Sequence, residues 1–300
     1  MTASETPILL GMTYVPYLPP EHLRDLAQAA EASGLDELWV WEDCFKQSGI
    51  ASAAAALAWT SRIRVGIGLL PVPLRNVPLA AMELATLERL FPGRLIAGIG
   101  HGVQAWMAQA GVRAESPLTL LREYATALRA LLAGEQVTTA GQYVRLDRVA
   151  LDWPPVQPPP LMLGGAGPKS IDLAAELGDG SLLGAALDDE EVAAACARIR
   201  AVPQARTRPG GHPVVGTVIV ATGPGAEQRV AGELAHWGKS PGDPVGAAGD
   251  ADTVAATLAR WARPGVTSIA VQPTHDEPDL LGLVTWLGTE VRPRLRERTG

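Results

Sequence analysis

A glycine-rich turn ahead of a helix is the strongest chemical signal in the sequence. The run Gly164-Gly165-Ala166-Gly167-Pro168-Lys169-Ser170 follows a predicted strand and leads into a predicted helix. Glycines let the backbone approach a ligand closely, and Pro168 suits the first helical position. Unpaired N–H groups of Lys169 and Ser170, the helix dipole and the lysine charge would together bind a phosphate. The alternative is an ordinary strand-to-helix turn.

A second glycine-rich stretch, Gly98-Ile99-Gly100-His101-Gly102, also closes a predicted strand. It is not a dinucleotide fingerprint, because Val103 and Gln104 follow where a third glycine would be needed. Alternating glycines at a strand end still permit the close approach of a flat ring or a phosphate. His101 is therefore a candidate ligand contact or acid, and the alternative is an exposed loop histidine.

Two carboxylates and a thiol follow the second predicted strand, in the order Trp41-Glu42-Asp43-Cys44-Phe45. We expect burial by Trp41 and Phe45 to raise a carboxyl pKa, which makes Glu42 and Asp43 candidate acid/base residues. Cys44 would need a neighbouring base to act as a nucleophile, and the sequence does not identify one. A small buried cysteine is the favoured interpretation.

Other chemistries lack a signature. Histidines occur only at 22, 101, 212, 236 and 275, without the HxH or HExxH spacing of a metal centre, so no metal site is predicted. There is no GxSxG nucleophile elbow and no Walker loop.

Composition limits the class of protein. The 300 residues are 47% hydrophobic and 19% charged, which is typical of a globular chain with a large core. A net charge of −7 disfavours nucleic-acid and anionic-membrane partners. The longest apolar stretch, Val65 to Leu74, falls short of the roughly 20 residues that a spanning helix needs. With two cysteines and no signal pattern, we expect a cytoplasmic protein.

The elements that would position these residues repeat one pattern, in which an amphipathic helix, a glycine and an apolar strand follow one another. Each such glycine is expected to end its helix with a positive φ. Strands are predicted at Ile8–Thr13, Glu37–Trp41, Ile63–Leu69, Leu95–Ile99, Leu161–Gly164, Ser181–Gly184, Val214–Ala221 and Ser268–Val271. Helices are predicted at 21–33, 50–60, 78–90, 117–133, 168–177, 188–200, 225–236, 252–262 and near 278–298.

Eight nearly continuous apolar strands alternating with helices predict a (β/α)8 TIM barrel, with a doubly wound open sheet as the competitor. Residues 1–300 are then one domain. The stretch 135–157 has a turn at Ala140–Gly141 between β-prone flanks, which predicts a β-hairpin inserted before strand five. A Gly- and Pro-rich loop over 238–249 is expected to be mobile.

Four ordered stretches carry a resemblance to a known family. They are GLDELWVWED (34–43), SRIRVGIGLLPVPLRNVPLAAMELATLERLFPGRLIAGIGHG (61–102), PPPLMLGGAGPKSIDLAAELGDG (158–180) and GDADTVAATLARWARPGVTSIAVQP (249–273). Together they resemble the bacterial-luciferase-like superfamily of flavin- and deazaflavin-dependent oxidoreductases.

The resemblance implies a barrel that holds coenzyme F420 or FMN at its C-terminal mouth. Residues Gly164 to Ser170 would then hold the cofactor phosphate, and Gly100, His101 and Gly102 would lie along its tail. The segment Gly68-Leu69-Leu70 matches the place where relatives form a bulge, often with a non-prolyl cis peptide, that backs the ring. A homodimer is also implied.

This chain departs from the family at the acid/base positions. Many deazaflavin relatives carry Asp-His after strand two, where Glu42-Asp43 stands here. An acidic residue found in some relatives after strand four is replaced by Val103 and Gln104. Asp43, Glu42 and His101 are therefore catalytic candidates by position only.

Three functions follow from the resemblance. The first is F420-dependent hydride transfer to or from a small, largely apolar organic substrate. The second is an FMN-dependent monooxygenase that uses oxygen and flavin reduced by a separate reductase. The third is a flavin-binding barrel without catalysis. Trp106 and Trp153, in loops expected to wall the pocket, favour an apolar substrate.

Overall fold

Eight parallel strands close into a barrel in the computed structural model, which describes residues 8–240 and 243–300. The strands of the described chain are β1 (Leu9–Tyr14), β2 (Glu37–Val40), β3 (Arg64–Pro71), β4 (Leu95–Gly100), β5 (Val137–Ala140), β6 (Arg145–Val149), β7 (Leu161–Gly164), β8 (Gly180–Leu182), β9 (Val214–Ala221), β10 (Ala247–Ala248) and β11 (Ser268–Pro273). Barrel neighbours follow the order β1-β2-β3-β4-β7-β8-β9-β11, and β11 pairs with β1. The (β/α)8 prediction is confirmed, because the β8–β9 pairing and the β11–β1 pairing leave no open sheet.

Helices cover the outside of the barrel. They are α1 (Leu23–Ala32), α2 (Gly49–Trp59), α3 (Val77–Leu90), α4 (Gln104–Gln109), α5 (Pro117–Leu132), α6 (Pro168–Leu177), α7 (Asp189–Ala201), α8 (Pro203–Thr207), α9 (Ala226–His236), α10 (Ala251–Ala262), α11 (Leu280–Trp286) and α12 (Arg292–Thr299). A π-helical turn, Leu287–Val291, joins α11 to α12, so the single terminal helix expected near 278–298 is interrupted. The main apolar core lies between this helical layer and the sheet.

The barrel interior is filled around one large ring. Trp39 is 2% exposed and packs with Ile96, Met162, Val215 and Ala270. A Cβ placed on Gly66 of the neighbouring strand would lie 2.3 Å from the Trp39 ring, so a side chain there would collide with it. Glycine at position 66 therefore lets the indole lie across the barrel.

A buried carboxylate anchors that ring from below. Glu37 is 1% exposed and accepts hydrogen bonds from Trp39 Nε1 at 2.9 Å and from Ser268 Oγ at 2.7 Å. The Arg64 guanidinium pairs with the same carboxylate. Since a buried charge is tolerated when it is paired and hydrogen-bonded, this network fixes the indole without leaving Glu37 unsatisfied.

The predicted hairpin inside 135–157 is present. Strands β5 and β6 pair antiparallel, with Ala140 opposite Arg145. Glu123 of α5 holds the turn, because its carboxylate accepts the backbone N–H groups of Gln142, Tyr143 and Val144 at 2.8–3.0 Å. The insertion is thereby fixed against the barrel wall.

Several predicted boundaries are wrong. Strand β3 continues through Pro71, which lies opposite Gly100, although we predicted that the strand ends at Leu69. Helices α4 and α8 were not predicted, because each is too short to show a helical period. Within the loop expected over 238–249, Ala247–Ala248 form β10 and pair with Val220 and Ala221, while the mobility of the loop stays a prediction. Its Pro241 and Gly242 lie outside the described residues.

The glycines that follow helices divide into two kinds. Gly34, Gly93 and Gly265 have φ values of 83°, 73° and 117°, as the pattern predicts. Gly178 has a φ of −75°, so the same expectation is wrong there. A Cβ on Gly178 would lie 2.5 Å from the Gly180 carbonyl oxygen, so close backbone approach explains this glycine.

Within the ranges that the structure describes, no helix is both long enough and apolar enough to cross a membrane.

Candidate active site

A cavity of about 300 Å³ opens at the C-terminal ends of the barrel strands. Its wall combines the ends of β2, β3, β4, β7 and β8 with the start of α4 and the residue after α9. The lining residues are Trp41, Glu42, Asp43, Gly68, Leu69, Pro71, His101, Gly102, Val103, Trp106, Gly164, Gly165, Ala166, Leu182, Leu183, Gly184, Ala185, Thr217 and Trp237. This is the face on which α/β barrels carry their active sites.

The floor of the cavity depends on a bulge in β3. The pairing of β3 with β4 shifts between Ile67 and Leu70, and the Gly68–Leu69 peptide bond is cis. The Leu69 side chain lies against the bare backbone of two neighbouring strands. A Cβ on Gly100 would lie 2.6 Å from Leu69 Cδ2, and one on Gly164 would lie 2.7 Å from the same atom. The glycines predicted as cofactor contacts therefore accommodate Leu69 as well.

Leu70 lies elsewhere. It is 2% exposed and belongs to the core between sheet and helices, where a Cβ on Gly49 of α2 would be 3.2 Å from its Cδ2. Of the three residues expected to back a ring, Gly68 and Leu69 line the cavity and Leu70 points away from it.

Glu42 lies at the cavity wall, but its carboxylate is fully engaged. Arg75 donates to both oxygens, at 2.5 and 3.0 Å, and the Gly49 backbone N–H donates at 2.8 Å. Arg75 also pairs with Glu83 at 3.2 Å. Because bidentate pairing fixes the geometry, Glu42 ties the β2 end to α2 and α3, and a structural role suits it better than proton transfer.

Asp43 is the carboxyl group at this site that is placed for proton transfer. It lines the cavity, and no described side chain or backbone group forms a hydrogen bond with its carboxylate. Burial raises its pKa above the ordinary value, and the positive charge of Lys46 opposes that change. A carboxyl with a raised pKa beside an apolar cavity is suited to general acid/base work.

Cys44 and Phe45 do not contribute in the expected way. Phe45 is 68% exposed, so the expectation that it would bury the carboxylates is wrong. The pKa of the Cys44 thiol is raised by burial and by the nearby Glu42 and Asp43. A raised pKa reduces the thiolate fraction, which argues against nucleophilic chemistry at Cys44.

His101 connects two of the predicted binding segments. Its Nε2 lies 3.2 Å from Ser170 Oγ, and its Nδ1 lies 2.9 Å from the Gly102 carbonyl oxygen. The ring is half-buried at the cavity wall, so the alternative of a plain exposed loop histidine does not describe it.

The predicted phosphate cradle opens α6, beside the cavity. Gly167 is the N-cap residue and no side chain caps the helix. The Ser170 backbone N–H donates to the Gly167 carbonyl at 2.9 Å, so the expectation that it is unpaired is wrong. The Lys169 N–H and the exposed Lys169 side chain remain, together with the Ser170 hydroxyl. Gly164, Gly165 and Ala166 reach the cavity, whereas Gly167 to Ser170 lie just outside it.

Sequence reasoning missed three residues at the site, and it misplaced Trp153 as well as Leu70 and Phe45. Arg75, Thr217 and Trp237 were not singled out, since only the tertiary fold brings them to this face. The Trp237 ring packs edge-on against the Trp41 ring, with 6.2 Å between the ring centroids, and closes one side of the cavity. Trp153 is 72% exposed and packs under Arg89 outside the barrel, so it is not a pocket wall.

A closed α/β barrel with a mostly apolar cavity at its strand ends defines a small-molecule-binding barrel. The luciferase-like monooxygenase family model matches residues 5–266, and the chain belongs to that family.

Individual relatives share its sequence over part of the chain. A 5,10-methylenetetrahydromethanopterin reductase from Methanolobus tindarius is 32% identical over 176 residues, which cover 58% of this chain and 53% of that protein. A putative coenzyme F420-dependent oxidoreductase from Mycobacterium tuberculosis is 34% identical over 182 residues, covering 55% and 51%. The aligned region thus spans about half the length of these curated relatives.

Among solved structures, an F420-dependent secondary alcohol dehydrogenase in complex with an F420-acetone adduct superimposes with a TM-score of 0.86 at 20% identity. The match covers 97% of this chain and 100% of that one. At this identity the likeness establishes the barrel fold alone.

The packing of Leu69 yields a prediction. We expect Gly100→Ala to lower the free energy of unfolding by about 1–3 kcal/mol, because the new methyl group would collide with Leu69 and with the Gly164 carbonyl oxygen at 2.8 Å. Chemical unfolding without cofactor measures this. Gly167→Ala is the matched control, since nothing lies within 4 Å of a Cβ at that position. Equal stability of the two variants would contradict the packing.

Proposed function

We propose that this chain is an F420-dependent oxidoreductase that transfers a hydride to or from a small, largely apolar organic substrate. The observation that carries the proposal is the apolar cavity, which begins at the Leu69 bulge and ends beside the uncapped N-terminus of α6. The planar ring of a cofactor would lie against the Leu69 bulge, and its phosphate would lie at the N-terminus of α6. Relatives above 30% identity include F420-dependent enzymes, which supports the choice of cofactor.

The donor set fits a phosphate-bearing deazaflavin. The Lys169 N–H, the Lys169 ammonium and the Ser170 hydroxyl would hold the phosphate at the helix start, where the dipole favours an anion. Leu69 would support the ring from below, and Gly68, Gly102 and Gly164 line the cavity around it. When bound, F420 supplies a carbon that gives or takes a hydride.

The protein's own part is to position, to exclude water and to move a proton. Trp41, Trp106 and Trp237 surround the cavity with apolar surface, which favours an apolar substrate. Asp43 would donate a proton in the reductive direction and accept one in the oxidative direction. His101 would hold the Ser170 hydroxyl in place through its Nε2 contact.

The second candidate is an FMN-dependent monooxygenase, supported by the family to which the chain belongs. It would use oxygen and flavin reduced by a separate reductase, and the same cradle would hold the FMN phosphate. Titrating the apoprotein with F420 and with FMN, followed by fluorescence quenching, tests the choice. We expect micromolar binding of F420 and weaker binding of FMN. Tight binding of neither would refute both candidates, and binding without turnover on enones, imines or ketones would indicate a non-catalytic barrel.

The phosphate cradle leads to a prediction about affinity. The double change Lys169→Ala with Ser170→Ala should weaken F420 binding by about tenfold to a hundredfold, because it removes charge-assisted contacts to phosphate. The dephosphorylated deazaflavin should bind both proteins equally. Fluorescence titration of each form measures this, and equal losses for the two forms would show that the phosphate lies elsewhere.

Asp43 gives a pH prediction. In the reductive direction the protonated carboxyl is required, so kcat should fall as pH rises through the raised Asp43 pKa. Asp43→Asn should lower kcat by about a hundredfold or more and remove that limb of the pH profile. Cys44→Ser, on the same loop, is the control, and it should retain both the wild-type kcat and the wild-type pH profile. An Asp43→Asn profile that keeps the wild-type limb would assign the proton to another group.

We also propose a homodimer in which α3 meets a second copy. Leu79, Met82 and Leu90 form an exposed apolar stripe on this helix, at 44%, 58% and 65% exposure, and the exposed Trp153 extends it. Such a patch is typical of an interface. Met82→Glu should shift the sedimentation coefficient to that of a monomer, whereas Leu281→Glu, at a 44% exposed position of α11, should not. Unchanged association of Met82→Glu would exclude this stripe.

A further inference from the structure

Three potential metal ligands meet at the rim of the cavity, outside the residues assigned to the cofactor. Glu233 and His236 lie one turn apart near the end of α9, and His275 is the second residue after β11. One ligand atom from each lies within 4.8 Å of the others. We call Glu233, His236 and His275 the rim cluster. The sequence did not predict it, because His275 is distant along the chain and Glu233–His236 lacks the spacing of the usual motifs.

The carboxylate of the rim cluster is held in a defined orientation. Glu233 is 2% exposed, and its Oε1 accepts a hydrogen bond from Gln272 Nε2 at 2.8 Å. Its Oε2 accepts the His275 backbone N–H at 2.9 Å and lies 2.6 Å from His275 Nδ1. The contacts from Gln272 and from the His275 backbone are of the kind that orients a carboxylate ligand around a metal.

The two imidazoles approach the carboxylate from solvent. The His275 ring stacks on the Tyr17 ring on one side and on the His236 ring on the other, with centroid distances of 3.7 and 4.6 Å. His236 is exposed, and its ring makes no hydrogen bond with any described residue. A hydrogen bond between Glu233 and His275 accounts for the 2.6 Å contact, yet it gives His236 no role.

The chemistry of this donor set points to a metal. Two imidazole nitrogens and one carboxylate oxygen are ligands for Zn²⁺ and other first-row divalent ions, and such sites leave further positions open to water. We propose that the rim cluster binds a divalent transition metal through Glu233, His236 and His275. The metal lies between the three ligand atoms, and water completes its coordination.

Metal binding has a structural consequence for the cavity. It joins the end of α9 to the segment after β11, and Trp237 follows His236 directly. Since Trp237 lines the cavity and contacts Trp41 at 6.2 Å, the metal fixes one wall of the substrate pocket. The site stands apart from the cofactor proposal, because none of its three ligands belongs to the cradle.

The test uses the full chain without an affinity tag, freed of metal by chelation and studied without cofactor. Zn²⁺ is titrated by calorimetry, and Co²⁺ by its visible absorption, which reports nitrogen ligands directly. We expect about one ion per chain. His236→Ala and His275→Ala should each weaken binding by about tenfold or more, since even outer contacts of metal sites contribute that much.

His22→Ala is the matched control, because it removes a surface histidine outside the rim cluster and should bind Zn²⁺ as the unmodified chain does. His236→Ala removes an exposed side chain without hydrogen bonds, so it should fold normally, as circular dichroism can verify. Absence of stoichiometric binding, or equal affinity in His236→Ala, His275→Ala and His22→Ala, would overturn the proposal.

Discussion

The packing of one indole ring against bare backbone is the constraint on which the barrel and its site depend. Trp39 fills the barrel interior, and β3 accommodates it because position 66 is glycine, while a Cβ on Gly68 would lie 3.1 Å from the same ring. Directly above the ring the strand bulges, and Leu69 swings over Gly100 and Gly164 to form the cavity floor. The core contact at Gly66 and the cavity floor at Leu69 therefore lie only three residues apart on the same strand. A substitution at Gly66 would change the position of Leu69, and the reverse also holds, since close-packed interiors transmit strain.

The two neighbouring carboxylates at the end of β2, Glu42 and Asp43, have different roles. Glu42 is neutralised by Arg75 and ties the β2 end to the helices, whereas the adjacent Asp43 faces the cavity without a partner among the described residues. Two neighbouring carboxylates therefore have different environments, and only one is available to a ligand. The chain's net charge of −7 leaves anion binding to local groups at the start of α6, not to a basic surface.

The sequence predicts the barrel because its information is local. Apolar runs, helix-ending glycines at 34, 93 and 265, and the Ala140–Gly141 turn each determine nearby backbone, and all three proved correct. What failed depends on tertiary contact. The Arg75 partner of Glu42 is 33 residues away, and His275 is 42 residues from Glu233. Trp153 and Phe45 look like pocket residues by type, yet only the path of the loops decides that they face solvent.

The shortness of β8 has a consequence for how this barrel can diversify. It pairs with β9 at Ser181 and Leu182, and the Leu183 N–H still donates to the Val215 carbonyl oxygen at 2.9 Å. Gly184 and Ala185 then leave the sheet and line the cavity. Because no strand register passes through these residues, insertions or deletions there change the pocket without disturbing barrel closure. Selection can therefore alter the shape of the cavity in this segment while the paired strands stay fixed, which separates the evolution of specificity from that of folding.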